Sequence, residues 1–158
     1  ETGIGDRPRV TFTVEPPPAG IPHEYAFLVR GHDSRLGQVA RNLIENAVSF
    51  SPQGSTVNVK LRRDQGFVEY QVEDSGPGIP EDNMEKIFER FYTDRPEGSF
   101  GKNSGLGLSI SKQIVEAYRG RIWAQNRYEA VSETGARRIT GATFGVRIPA
   151  LHTRRRSS

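Results

Sequence analysis

Four polar side chains recur at helical spacing within LGQVARNLIENAVSF, residues 36–50. Asn42, Glu45, Asn46 and Ser49 follow an i, i+3, i+4, i+7 pattern, which predicts one stripe along a helix. Asn is unfavourable inside a helix because its amide competes with the backbone for hydrogen bonds. Amide and carboxylate oxygens are hard donors that suit Mg²⁺ together with phosphate oxygens. The stripe therefore favours a polar floor under a ligand over a merely solvated helix face.

A first glycine-containing segment could complete such a site. DSGPGIP, residues 74–80, directly follows the alternating segment VEYQVE. Gly76 and Gly78 permit positive φ and a close approach of the backbone to a flat ligand. Asp74 is predicted to end a strand in a partly buried position, where an exocyclic amine would be a suitable donor to its carboxylate. An ordinary strand-to-helix turn capped by Asp explains this segment equally well when it is taken alone.

The second segment is GKNSGLGLS, residues 101–109. Gly105 and Gly107 open a predicted helix, and backbone N–H groups at a helix N-terminus bind phosphate with help from the helix dipole. Lys102 and Arg95 lie in the preceding loop and could reach a polyphosphate. The segment is not a P-loop, because the GxxxxGK[ST] pattern is missing.

Helices and strands at regular intervals could position these segments. The central helix has Asp33 and Ser34 as candidate N-caps, and further helices are predicted at 81–90 and 106–118. Strands are predicted at 10–14, 25–30, 56–63, 67–73, 121–125 and 141–149. Residues 93–103 and 126–140 are predicted loops, the first of them mobile. We therefore predict an α/β, two-layer sandwich in which about three helices cover one face of a mixed, mostly antiparallel sheet.

Composition limits the class of protein. A chain of 158 residues is enough for one α/β domain. The absence of Cys excludes disulfides and thiolate metal sites and is compatible with a reducing cytoplasm. No apolar run approaches the roughly 20 residues of a membrane span. Because the chain begins with Glu and its only Met is Met84, we expect a piece of a longer protein. No aromatic residues interleave with the basic residues 154–156, so no nucleic-acid partner is expected.

The segments NLIENA, DSGPGIP, ERFY, SGLGLSISKQIVEAYRG and GATFGVRIP, in this order, resemble the ATP-binding catalytic domain of sensor histidine kinases. They match the N, G1, F, G2 and G3 boxes of the Bergerat fold. The phrase FGKNSGLGLSISKQIVEAYRGRI looks most like the envelope-stress receptor kinases of the ChvG/ExoS type. The resemblance implies a lead-in with a first strand at 1–24, the catalytic domain at 25–150 and a flexible basic tail at 151–158.

The resemblance also implies roles for individual residues. Asn46 would hold Mg²⁺ against the phosphates of ATP, with Asn42 as its partner one turn earlier and Glu45 on the same stripe. Asp74 would accept a hydrogen bond from the adenine amino group. The remaining nucleotide-binding positions would be Phe50, Gly76, Gly78, Ile79, Arg95, Lys102, Gly105, Leu106, Gly107, Leu108 and Thr143.

Two positions depart from the family pattern. Ser49 stands where many members have a Lys that touches phosphate, and Thr93 stands where many have an Arg. Phosphate binding is therefore expected to depend on Lys102, Arg95 or Arg41.

The resemblance implies partners beyond ATP and Mg²⁺. These kinases phosphorylate a His on a separate helical dimerisation domain and pass the phosphoryl group to a response regulator. His23, His32 and His152 have no such sequence context, so the acceptor is expected upstream in the parent protein. The parent is expected to be dimeric and anchored in the bacterial inner membrane, with this domain in the cytoplasm.

Two alternative functions remain open at the level of sequence. One is an autonomous ATPase of the same fold, as in gyrase, MutL or Hsp90 relatives, which carry a Glu general base at the position matching Asn42. An amide cannot take a proton from water, which disfavours hydrolysis, although Glu45 keeps the alternative open. The other is a nucleotide-sensing or docking module, which Ser49 in place of the usual Lys keeps open.

Overall fold

The computed structural model describes residues 7–21, 33–89, 107–129, 133–135 and 137–150. In these residues one layer is a five-stranded sheet with strand order β1-β2-β3-β5-β4. Its strands are β1 (Arg9–Val14), β2 (Thr56–Asp64), β3 (Phe67–Glu73), β4 (Arg121–Tyr128) and β5 (Ile139–Pro149). The second layer contains the helices α1 (Asp33–Phe50) and α2 (Gly107–Ala117). β1 runs parallel to β2, whereas the other neighbouring pairs are antiparallel. The predicted two-layer α/β class is confirmed.

The hairpin between β2 and β3 follows directly from its sequence. Asp64 pairs with Phe67, so Gln65 and Gly66 alone make the turn. Gln65 has a φ of 54°, the left-handed conformation that a two-residue hairpin turn of the primed type requires. Asp64 closes β2, one residue beyond the strand predicted at 56–63.

The core lies between the helices and one face of the sheet. Alternate residues of β3 and β5 point toward the helices, as strand geometry requires. On α1, Val39, Leu43 and Ala47 are at most 1% exposed. The sheet contributes the buried residues Val57, Val72, Ala142, Phe144, Val146 and Ile148. This packing fixes α1 against the strand ends where Asp74 lies.

The prediction of about three helices is wrong for the described part of the chain, where two α-helices are found. Two short 3₁₀ turns, Glu81–Asn83 and Lys86–Phe88, replace the helix predicted at 81–90. Met84, Ile87 and Phe88 are spaced i, i+3, i+4, and the i, i+3 pair suits three residues per turn as well as 3.6. The apolar pattern therefore could not separate the two conformations.

The polar loop predicted at 126–140 is also partly wrong, because β4 continues through Tyr128 and β5 begins at Ile139. Asn126 and Arg127 bond the backbone of a neighbouring loop, so their polarity does not mark a solvent-exposed loop of their own. α1 begins at Asp33, earlier than predicted, and α2 agrees closely with the prediction at 106–118.

Several predicted segments lie outside the described residues, namely the strand at 25–30, the loop at 93–103 and the basic tail at 151–158. The first strand, which we assigned to a lead-in, pairs with β2 and is part of the sheet. In the part of the chain that the structure covers, no helix combines the length and hydropathy needed to cross a bilayer.

Candidate functional site

One row of side chains along α1 connects the two glycine-containing segments. Asn42, Asn46 and Phe50 are spaced i, i+4, i+8 and therefore lie along the same side of the helix. Asn42 Nδ2 donates to the carbonyl oxygen of Gly107 (3.3 Å) and to Oγ of Ser111 (3.2 Å), both in α2. At the other end, the carbonyl oxygen of Phe50 lies 2.7 Å from the position that a Cβ on Gly76 would occupy. Asn46, which is 7% exposed, lies between these two contacts.

The predicted four-residue stripe is divided in the structure. Asn42 and Asn46 lie in the covered row, whereas Glu45 and Ser49 are exposed. The Ser49 hydroxyl donates to the carbonyl oxygen of Asn46 (3.1 Å), within its own helix. Successive helical residues are rotated by about 100°, so an i, i+3, i+4 stripe is broad, and the sequence does not tell which of its edges α2 will cover. The two Asn therefore lie in the covered row, whereas Glu45 lies at its exposed edge.

Asp74 follows the last residue of β3 and is 2% exposed. Its Oδ1 accepts hydrogen bonds from the backbone N–H groups of Gly76 (2.9 Å) and Ala142 (2.9 Å). Among the residues that the structure describes, none donates a hydrogen bond to Oδ2. Burial raises the pKa of Asp74 above its ordinary value of 3.8, opposed by the two N–H groups and by the nearby charge of Arg127. The side chain is therefore a fixed acceptor with one oxygen held by the protein.

The glycines of this loop make room for other parts of the protein. Gly78 has a φ of 87°, and a Cβ there would lie 2.5 Å from Cγ2 of Ile139. Gly76 does not have a positive φ, and its missing Cβ makes room for the end of α1. Ser51 Oγ accepts a hydrogen bond from the backbone N–H of Ser75 (2.9 Å) and also joins the loop to the end of α1.

Two residues of β4 that the sequence analysis did not select hold the loop from the other side. Asn126 Oδ1 accepts from the backbone N–H of Ile79 (2.7 Å), and Asn126 Nδ2 donates to the Ile79 carbonyl oxygen (2.9 Å). Arg127 donates through a guanidinium N–H to the carbonyl oxygen of Asp74 (2.7 Å). Strand alternation places Asn126 on the side of Ile122 and Ala124, which pack against the core. A polar residue continuing that apolar face was the signal that could have identified it.

The remaining predicted site residues are distributed differently. Thr143 of β5 is 4% exposed and lies opposite Glu73, the last residue of β3, and Gln125 of β4. Ile79 is buried in the core and Leu108 packs against it. Four of the predicted nucleotide-binding residues lie outside the described residues: Arg95, Lys102, Gly105 and Leu106.

The donor set suits a metal ion held jointly with a ligand. No group of three or more His, Asp or Glu residues that could hold an ion by itself is found in the described ranges. Asn46 contributes a hard amide oxygen in the covered row of α1. This set fits Mg²⁺, which commonly takes most of its ligands from phosphate and water.

A family model described as histidine kinase-, DNA gyrase B- and HSP90-like ATPase matches residues 31–152. The chain belongs to this ATPase family. The sensor protein ChvG of Agrobacterium fabrum is 50% identical over 133 residues, which is 83% of this chain but 22% of that protein. The chain thus spans about a fifth of the length of this relative.

Solved structures agree with this assignment. A mycobacterial sensor histidine kinase, MprB, superposes with a TM-score of 0.68 at 31% identity, covering 90% of this chain and 81% of that one. The histidine kinase ThkA, solved in complex with the response regulator protein TrrA, gives a TM-score of 0.63 at 28% identity, covering 90% and 34%. The chain is therefore an ATP-binding catalytic domain of the sensor histidine kinase type, and the predicted likeness to the ChvG type is confirmed.

Proposed function

We propose that this domain binds Mg²⁺–ATP and delivers the γ-phosphoryl group to a His on a separate dimerisation domain of its parent protein. The observation that carries the proposal is the carboxylate of Asp74. One of its oxygens is held by two backbone N–H groups. The other can accept from the amino group of adenine, whereas guanine would present a carbonyl oxygen there and leave the buried acceptor unpaired.

The start of α2 is the proposed phosphate end of the site. Backbone N–H groups in the first turn of a helix have no partner within the helix and attract phosphate. The hydrogen bonds from Asn42 keep this turn next to α1 and therefore next to Asn46. We assign Asn46 as the protein ligand of Mg²⁺. When bound, the ion neutralises charge on the phosphates. Lys102, Arg95 and Arg41 remain the proposed basic contacts.

The environment of Asn42 favours phosphoryl transfer over hydrolysis. ATPase relatives are expected to carry a Glu base at this position, but here an amide nitrogen already donates to two groups of α2. An amide takes no proton from water at neutral pH. Glu45, the only carboxylate of the predicted stripe, is exposed and lies outside the covered row.

The proposed partners extend beyond this chain. The complex of ThkA with TrrA supports a response regulator as the final acceptor of the phosphoryl group. The parent is proposed to be dimeric and anchored in the bacterial inner membrane, with this domain in the cytoplasm.

Calorimetric titration with ATP tests the nucleotide and the metal together. The unmodified domain should bind ATP more tightly with Mg²⁺ than with a chelator. Asn46→Ala should weaken binding by about tenfold when Mg²⁺ is present, since it removes one charge-assisted contact. It should have little effect when the chelator is present.

Ser49→Ala is the matched control, because its exposed hydroxyl contacts its own helix. An unchanged ATP affinity in Asn46→Ala with Mg²⁺ present would remove the residue from this role.

A further inference from the structure

The loop from Asp74 to Ile79 is held at both ends by consecutive residues of β4. Arg127 donates to the carbonyl oxygen of Asp74, where the loop begins. Asn126 bonds both backbone polar groups of Ile79, where the loop ends. β4 does not contribute the adenine acceptor itself, but it touches the loop that carries it.

The Asn126 carboxamide makes the two backbone hydrogen bonds to Ile79 that a neighbouring strand would otherwise make. It accepts at 2.7 Å and donates at 2.9 Å, so it satisfies the donor and the acceptor of one residue as a strand partner would. The contact depends on Gly78, because a Cβ there would lie 2.8 Å from Asn126 Oδ1. The loop thus approaches β4 more closely than any residue with a side chain at position 78 would allow.

Asn126 is also coupled to the Asp74 carboxylate through β5. In the β4–β5 register, Asn126 lies opposite Ala142. Ala142 donates its N–H to Asp74 Oδ1 (2.9 Å) and accepts the Asp74 N–H at its carbonyl oxygen (2.9 Å). Asn126, which fixes the end of the loop, therefore lies opposite Ala142, whose N–H fixes the orientation of the Asp74 carboxylate.

We infer that Asn126 is a positioning residue that sets the nucleobase selectivity of the site. It holds the loop so that Asp74 Oδ2 stays directed at the base, and it does not touch the nucleotide. The inference rests on the proposed ATP site. Selectivity for an amino group needs a rigid acceptor, since a loop that can shift lets the carboxylate turn away from a base that lacks the donor.

The test compares ATP with purine riboside triphosphate, which lacks the 6-amino group. The ratio of their dissociation constants, measured by calorimetry with Mg²⁺, reports the contribution of the amino group alone. In the unmodified domain ATP should bind about tenfold or more tightly than the analogue. Asn126→Ala should weaken ATP binding and bring the ratio close to one, with the affinity for the analogue nearly unchanged.

Gln125→Ala is the matched control, because this neighbour on β4 is exposed. It should retain the ratio of the unmodified domain. Asn126→Ser, which keeps a polar group too short to bond both atoms of Ile79, serves if the alanine variant does not fold. It should lower the ratio as well.

The outcomes separate the two proposals. If the unmodified domain does not bind ATP, the proposed function fails and the inference fails with it. If ATP binds and Asn126→Ala keeps the full ratio, or weakens both ligands equally, Asn126 has only a general structural role and the inference alone is overturned.

Discussion

Asp74 combines deep burial with a negative charge, and this combination has a measurable cost. Burial raises its pKa above 3.8, so its ionised form is harder to maintain than that of an exposed Asp. Hydrogen bonds from Gly76 and Ala142 partly compensate for this. A ligand that donates to Oδ2 binds the ionised form preferentially. ATP affinity must therefore fall as the pH is lowered through the pKa of Asp74.

Asp74→Asn should weaken ATP binding at pH 7 by roughly ten- to a hundredfold, because an acceptor is replaced by an amine that faces the donor of the ligand. The difference from the unmodified domain should shrink as the pH is lowered, since protonated Asp74 also loses its acceptor. This loss should begin at a higher pH than an ordinary Asp would show. Calorimetric titrations between neutral and mildly acidic pH measure both effects. A variant that distinguishes ATP from GTP as well as the unmodified domain does would show that Asp74 does not read the base.

The elements differ in how fully their sequences specified them. β3 was predicted with its observed bounds, because alternating side chains and a turn on one side define a strand. The end of β4 was not predicted, because Asn126 and Arg127 are polar for a tertiary reason: they bond the backbone of a loop about fifty residues away in the chain. From composition alone, such polar residues are assigned to a loop.

The same limit applies to the site. The position of Asp74 at a strand end was readable from the pattern of VEYQVE followed by glycines. The division of the polar stripe on α1 was not readable, because it depends on where α2 packs, and that contact joins residues distant in the chain. The hydrogen bonds that join Asn42 to α2 could not be predicted either, because they also link residues distant in the chain.

Asn42→Ala should destabilise the domain by roughly 1–3 kcal/mol, because it removes a hydrogen bond from the fully buried Ser111. Chemical denaturation followed by circular dichroism measures the change. Arg35→Ala, at an exposed position of the same helix, should leave the free energy of unfolding nearly unchanged.

A double-mutant cycle with Ser111→Ala should then give a coupling energy of about 0.5 kcal/mol or more. Additive effects of the two substitutions would mean that the contact does not join the helices.

At the scale of the whole molecule, the two faces of the sheet serve different purposes. The helices and the Asp74 loop occupy one face, and the opposite face carries cross-strand ion pairs. Glu69, whose side chain is 4% exposed, lies 3.4 Å from Arg62 and 3.1 Å from Arg147. Oppositely charged neighbours across strands support a sheet face that no described helix covers. These ion pairs therefore stabilise the face opposite the helices.

We therefore expect the domain to bind ATP without consuming it. Hydrolysis needs a base beside the attacking water, and Asn42 supplies an amide already bonded to α2. Transfer needs a nucleophile in line with the γ-phosphate, and the sequence context of His23, His32 and His152 does not match an acceptor helix. Positioning supplies most of the catalysis in phosphoryl transfer, so the acceptor His must be held close to the bound nucleotide.

The chain alone should therefore bind ATP, turn it over very slowly and acquire no label from γ-radiolabelled ATP. Adding the His-bearing domain of its parent should produce an acid-labile phosphoryl group on that added domain, because the acceptor can then approach the bound nucleotide. Gel separation of the two polypeptides after labelling shows which of them carries the phosphate, and Asp74→Asn should reduce the transfer together with ATP binding. Acid-labile label on this chain by itself, or ATP turnover that disappears in Glu45→Gln, would instead establish an autonomous enzyme that uses Glu45 as its base.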